Sequence, residues 1–235
     1  MIKEVNVTRA IIDSYFERLS DSLELDVAIC GSGPSGLVAG TALAREGMKV
    51  AIFEKKISLG GGMWAGGMLF NSLVVQPRAE SILKEFNISY NRRDDLLVAS
   101  CVEGVARLII GAQESGCRIF NGIAVSDVVL SDNKISGFVI NWGPVEKLAE
   151  SGWGIEVDPL TISARWTVDA TGHTHDVCRV ASEKGLRLAT SSGKADGEGV
   201  LSAEAAEEMV VKNSRQVYPG LFVCGMAANA VFGSP

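Results

Sequence analysis

Three glycines and one acid carry the first chemical signal in the sequence. Gly31-Ser32-Gly33-Pro34-Ser35-Gly36 follows the apolar run Leu25-Asp26-Val27-Ala28-Ile29-Cys30, and Glu54 closes a second run, Lys49-Val50-Ala51-Ile52-Phe53-Glu54. In such a pattern Gly31 permits a tight turn out of a strand. Gly33 lets the backbone approach a pyrophosphate, and Gly36 lets the following helix lie close to the sheet. The helix N-terminus then offers free N–H groups and a partial positive charge to the phosphates. Glu54 stands where a carboxylate accepts from both ribose hydroxyls of an adenosine, which favours NAD, FAD or another ADP-containing ligand over NADP. A lone GxGxxG also marks ordinary turns. Here the strand before it, the Ala-rich helical run after it and the distance to the acid agree on a dinucleotide.

A second candidate is the loop that follows, with five glycines in the eight residues from Gly60 to Gly67. It cannot pack a core, so it is either a flexible connection or a surface for close backbone approach. Its place after a dinucleotide strand favours contact with phosphate or ribose. Lys55, next to Glu54, reads either as a solvated charge or as a ligand contact. Asp158-Pro159 taken alone is an ordinary turn, and His173 taken alone is an ordinary histidine at a strand end.

The elements that must position these residues follow from periodicity. Thr8 to Leu23 has a helical apolar period through Ile11, Ile12, Tyr15, Phe16 and Leu19, and is expected outside the domain or against another subunit. Residues 25–54 form a βαβ unit. Pro77 to Phe86 reads as a helix opened by proline, and Leu96 to Ala99 as a strand. Ser100 with Glu103 predicts a capping box for a helix to Ser115. Arg118 to Asn121 is a strand, and residues 123–142 form a β-hairpin around Ser131-Asp132-Asn133-Lys134, expected to cross over the sheet. Val145 to Gly154 reads as a loop or short helix. Leu160 to Ser163 and Arg165 to Ala170 are strand, Asp176 to Lys184 helix, Thr190 to Gly199 a polar loop, Leu201 to Val211 helix, and Leu221 to Gly225 a last buried strand. The chain stops at Gly233-Ser234-Pro235, in a small-residue run after that strand, so a C-terminal covering helix is expected to be missing. The prediction is a single α/β dinucleotide-binding domain over 1–235, a Rossmann-like FAD/NAD(P)-binding fold with an inserted β-hairpin layer.

Composition narrows the function classes. The chain has 235 residues, 47% of them hydrophobic, and a formal net charge of −6 without a long basic run, which argues against nucleic acid as a partner. Five cysteines show no CxxC pair and no zinc spacing, and Cys30 and Cys224 lie in apolar runs. This is cysteine usage of a cytoplasmic protein. No signal peptide or membrane span is expected.

Three segments together, the Gly31/Gly33/Gly36 turn, Val168-Asp169-Ala170-Thr171-Gly172 and Gly220-Leu221-Phe222-Val223-Cys224-Gly225, recur in two-dinucleotide-binding-type flavoproteins. Typical FAD enzymes of that group have Asp after the last glycine, and this chain has Met226. With Gly60-Gly61-Gly62-Met63-Trp64, Val157-Asp158-Pro159 and Thr171-Gly172-His173 added, the sequence resembles the thiamine thiazole synthase family over nearly its whole length. It looks most like the archaeal sulfide-dependent adenosine diphosphate thiazole synthases, which also carry the label ribose 1,5-bisphosphate isomerase.

The resemblance implies that NAD is a substrate. It loses nicotinamide, the opened ribose condenses with glycine, and sulfur closes a thiazole. Gly31, Gly33, Ser35, Gly36, Glu54, Lys55 and Gly62 would hold the ADP-ribosyl part, with Val125 meeting adenine through its backbone. Glu156, Val157, Asp158 and Met226 would line the reacting end. Asp158 and His173 match the family's Fe(II) ligands, the Asp arriving across a subunit interface, so a homo-oligomer is implied. His175 is a secondary ligand candidate, and Cys178 reads as a helix-face thiol. Eukaryotic members have a sulfur-donating cysteine, and familiar methanogen members a histidine, where this chain has Glu156. A carboxylate cannot donate sulfur, so external sulfide is the consistent source. Glu156 is then either a general base or extra ligand, or a Glu that merely lines the site. The family continues beyond Gly-Ser-Pro into an arginine that clamps the glycine carboxylate.

The expected activity is Fe(II)- and sulfide-dependent synthesis of the ADP-thiazole precursor of thiamine. The rivals are an FAD-dependent oxidoreductase, which Met226 argues against, and a non-catalytic NAD- or ADP-ribose-binding protein.

Overall fold

Continuous apolar runs along strands buried on both faces build the centre of the fold. In the computed structural model, which describes residues 2–152 and 157–235, helix α1 (Glu4–Ser20) leads into β1 (Glu24–Cys30), α2 (Pro34–Arg45) and β2 (Val50–Glu54). There follow β3 (Ser72–Val75), α3 (Glu80–Glu85), β4 (Tyr90–Arg93), β5 (Leu96–Ser100), α4 (Cys101–Glu114) and β6 (Arg118–Asn121). The hairpin is β7 (Ile123–Ser131) and β8 (Lys134–Trp142), followed by α5 (Gly143–Glu150) and β9 (Leu160–Asp169). The rest is α6 (Asp176–Glu183), α7 (Ala203–Asn213), β10 (Arg215–Tyr218), β11 (Leu221–Val223) and α8 (Met226–Val231).

The main sheet runs β10-β11-β9-β1-β2-β6, parallel throughout except for the β10 edge. Ala28 pairs with Ala51 on one side and Thr167 on the other, so β1 sits in the middle. Strands covered on both faces read as continuous apolar runs, which is why β1 and β2 are legible. Val27 and Ile29 face one core with Leu37, Ile52 and Leu108, while Ala28 and Cys30 face another with Phe53, Phe120 and Phe138. The Phe53 and Phe120 rings stack at 5.5 Å. Burial of each such ring stabilises the fold by about 1.5–3 kcal/mol.

The hairpin joins the sheet through β8, which pairs antiparallel with the first half of β9, from Ile140 with Leu160 to Gly137 with Ser163. The β9 segment is one ten-residue strand rather than two. The antiparallel sheet β3-β5-β4 is separate from the main sheet, and of its strands the sequence points only to β5. Helix α1 begins and ends earlier than the expected 8–23, because the Ser22 and Leu23 N–H groups turn back onto Leu19 and Ser20. It has no fully buried residue; Ile11, Ile12 and Phe16 are exposed, while Tyr15 and Leu19 touch the core.

The capping box is only half made. Ser100 Oγ accepts from the Glu103 N–H, but the Glu103 carboxylate takes the Ser89 N–H and hydroxyl at 3.1 and 2.9 Å. Ser100 itself belongs to the β3–β5 ladder, opposite Ser72. A helix, α8, follows the last strand, where the sequence reading assigns only a small-residue run. Among the described residues no helix is long and apolar enough to cross a membrane.

Candidate functional site: the carboxyl edge of the parallel sheet

Strands β11, β9, β1 and β2 run parallel and adjacent, so their carboxyl ends form one edge. In order along it stand Gly225-Met226, Thr171-Gly172-His173, the glycine turn with Ser35, and Glu54-Lys55. Ligands of open α/β sheets bind outside such an edge.

The glycine turn is built as the spacing predicts. The Gly31 N–H donates to Phe53 O at 2.8 Å. A Cβ on Gly36 would lie 2.1 Å from Gly31 O, so α2 can cross the turn only with glycine there. Gly33 is different: the nearest neighbour of a Cβ would be Ala170 O at 3.9 Å. The chain's own packing does not require glycine at 33, where a Cβ would make an ordinary van der Waals contact. No side chain caps α2 at Gly33, and Pro34 occupies the first turn, so the N-terminal donors of α2 keep their capacity for an anion.

Glu54 is 7% exposed and already engaged. Its Oε2 accepts from the Ser32 N–H at 3.0 Å and the Ser32 hydroxyl at 2.8 Å, and its Oε1 from the Lys56 N–H at 2.9 Å. An ionised carboxylate offers about four acceptor sites, which leaves capacity for a ribose. The Gly60 N–H donates to Ser32 O at 2.9 Å, and a Cβ on Gly61 would lie 3.2 Å from Gly33 Cα. The glycine-rich loop is therefore folded onto the glycine turn, with Gly62 exposed beside it. Lys55 extends along the edge to Asp176 in the first turn of α6, Nζ to Oδ2 at 2.8 Å. In β7 the hairpin register shifts between Val125 and Asp127. Such an irregularity disturbs the ladder locally, which suits a backbone contact at Val125.

At the other end of the row, a Cβ on Gly225, φ +67°, would meet Ser35 Oγ at 2.3 Å, so the turn after β11 rests directly on α2. Half-buried Met226 follows Gly225 in the chain and opens α8. An apolar cleft of about 420 Å³ opens on the flank of α2, lined by Val38, Met63, Leu83 and Leu108 and reaching Ser35 and Gly225.

The His173 turn is shaped by Asp169, which the sequence reading placed only within a motif. The buried Asp169 accepts from the Thr171 N–H and hydroxyl at 3.0 and 2.7 Å, and from the Cys178 N–H at 2.8 Å. His173 is exposed, and its Nδ1 meets Glu198 Oε1. Glu198 lies in the polar loop 25 residues on, and no spacing rule points to it. His175 turns back, Nδ1 to His173 O at 3.1 Å, and serves as the residue before α6. Cys178 is a buried thiol held neutral chiefly by desolvation.

Asp158 and Val157 are exposed on the segment entering β9, with Val157 O accepting from Asn141 Nδ2 at 3.3 Å. His173 follows the far end of the same strand. Among the described residues no group of three His, Cys, Asp or Glu side chains could hold a metal. Glu156 lies outside the described residues.

The Thi4 family model matches residues 8–235. A thiamine thiazole synthase of Pyrococcus horikoshii is 49% identical over all of this chain and 90% of its own length. Another from Methanothermobacter thermautotrophicus is 46% identical with the same coverage. The crystal structure of Thermovibrio ammonificans THI4 superposes with a TM-score of 0.93 at 44% identity, covering 99% of this chain and 89% of that one. L-proline dehydrogenase from P. horikoshii, at 14% identity and a TM-score of 0.50 over 70% of this chain and 58% of that one, shares the fold alone. The chain belongs to the Thi4 family.

Proposed function

We propose that this protein is a thiamine thiazole synthase that makes the ADP-thiazole precursor of thiamine from NAD, glycine and sulfide with Fe(II). The observation that carries the reading is a glycine at 33 that the chain's own packing does not require, beside a carboxylate already shaped by Ser32. Together they suit the ADP half of a dinucleotide, in a chain of the Thi4 family. The α2 N-terminus, Gly33 and Ser35 bind the pyrophosphate, Glu54 the ribose hydroxyls, and Lys55, Gly62 and the Val125 backbone the adenosine side. Met226 and Val157 serve the end that is rebuilt, and Glu156, outside the described residues, is assigned there from its sequence position alone.

His173 fits a metal as an imidazole donor with one nitrogen held by a carboxylate, and imidazole and carboxylate oxygen both suit Fe(II). Asp158 would complete the set from a second subunit, which makes the enzyme a homo-oligomer. When bound, Fe(II) would supply Lewis acidity at the reacting end of the substrate. With Glu156 at the sulfur position, external sulfide is the source. All five cysteines are free, which suits a reducing cytoplasm.

The test is anaerobic incubation with NAD, glycine, Fe(II) and sulfide, read by mass spectrometry. Free nicotinamide and an adenylated thiazole are expected, and NAD left intact would overturn the reading.

A further inference from the structure

His173 and Glu198 come from separate segments that the fold pins independently. The His173 turn hangs on the buried Asp169 carboxylate. The Glu198 loop is tied to the end of α8 on both sides, the Asp196 N–H donating to Val231 O at 3.2 Å and the Gly199 N–H to Ser234 O at 3.0 Å. A Cβ on Gly199 would lie 3.1 Å from Gly233 O, so the loop runs close along that chain. Two fixed segments thus present one carboxylate oxygen to one ring nitrogen, Glu198 Oε1 to His173 Nδ1.

A carboxylate only accepts, so in the neutral imidazole the proton sits on Nδ1 and the lone pair on Nε2. The His173 side chain is 69% exposed and makes no other hydrogen bond among the described residues, so the ring stays accessible to a ligand while Glu198 engages Nδ1. Metal-binding histidines are oriented by such carboxylates.

We propose that Glu198 is a positioning residue that fixes His173 as the Nδ1–H tautomer and aims Nε2 at the divalent metal. The proposal rests on the reading of His173 as a metal ligand.

The chain has only two histidines, so ¹⁵N-histidine labelling reads His173 directly. His175→Asn gives the assignment, asparagine tolerating the positive φ at 175. In metal-free protein at mildly alkaline pH, long-range ¹H–¹⁵N correlations are expected to show Nδ1–H for His173. Glu198→Ala should shift it toward Nε2–H, and Glu198→Gln, whose amide oxygen still accepts, should retain Nδ1–H. Nε2–H in the parent protein, or no change in Glu198→Ala, overturns the orienting role.

Co(II) titration, followed by visible absorption, tests the metal half. Glu198→Ala should bind about 10–100-fold more weakly, with Glu198→Gln between it and the parent and circular dichroism unchanged. Parent-like affinity in Glu198→Ala overturns the metal-directed role. Parent-like Co(II) binding by His173→Ala instead removes the metal reading itself, and the metal role of Glu198 falls with it; the tautomer data still decide the orientation separately.

Discussion

The Ser32 hydroxyl donates to Glu54 Oε2 at 2.8 Å, and the Ser32 N–H to the same oxygen at 3.0 Å. The second residue of the glycine turn therefore fixes the carboxylate that ends β2. A nucleotide bound as proposed would meet an acid whose rotamer is already set, which lowers the ordering cost of binding. Glu54→Gln keeps an acceptor for Ser32 and removes the charge and one acceptor oxygen. Hydrogen bonds to charged groups contribute about 1.5–3 kcal/mol, so ADP affinity should fall at least about tenfold by calorimetry. ADP binding equal to the parent protein would remove Glu54 from the nucleotide site.

The glycines at 33 and 36 separate ligand space from packing space. Gly33→Ala adds a methyl with no protein atom nearer than 3.9 Å. Urea unfolding should shift by no more than about 0.5 kcal/mol, while ADP binding weakens strongly. Gly36→Ala places Cβ 2.1 Å from a backbone oxygen. That overpacking should cost about 1–3 kcal/mol or more. If both variants lose the same stability, the space at Gly33 is not reserved for a ligand.

What could be read from the sequence follows from burial. β1 and β2 are apolar on both faces, and the hairpin is framed by a clear turn, so 25–54 and 123–142 are legible residue by residue. Ser72–Val75 and Tyr90–Arg93 lie in a thin outer sheet with mixed exposure, and neither four-residue segment is long enough to show a period. The six residues of α8 are mostly small and wholly buried after Met226, which gives no amphipathic pattern. Glu103 matched a capping box in sequence, yet Ser89 claims its carboxylate. The proposed nucleotide half is one contiguous motif plus an acid, whereas Glu198, the partner of His173, lies in a loop that tertiary contacts with α6 and the α8 segment bring near.

Tyr15 anchors α1. Its ring meets Phe120 edge-on at 6.2 Å and Trp142 at 6.0 Å, yet among the described residues its buried hydroxyl has no hydrogen-bond partner. Desolvation raises its pKa, as expected for a phenol kept from water. An unsatisfied buried hydroxyl costs about 1–3 kcal/mol. Tyr15→Phe keeps the ring contacts and removes that cost, so its urea midpoint should rise. A fall in the midpoint would mean that the hydroxyl is satisfied in solution.

Burial also sets an alkaline limit on stability. Cys117, 2% exposed between α4 and β6, has its thiol pushed up to about 12 by desolvation, against an ordinary 9.0. Below pH 9 both folded and unfolded chains hold this proton, and the stability contribution is intact. Above it the unfolded chain loses the proton while the folded chain keeps it, so unfolding becomes easier as pH rises toward about 12. The expected slope is about −1.4 kcal/mol per pH unit for each such thiol. Cys30 and Cys178 shift in the same direction through burial. Cys117→Ala costs packing at every pH but should remove one thiol's share of the slope in urea unfolding followed from neutral to alkaline pH. The difference between the two slopes cancels other alkaline titrations, and a slope identical to that of the parent chain would show that Cys117 titrates normally in the folded protein.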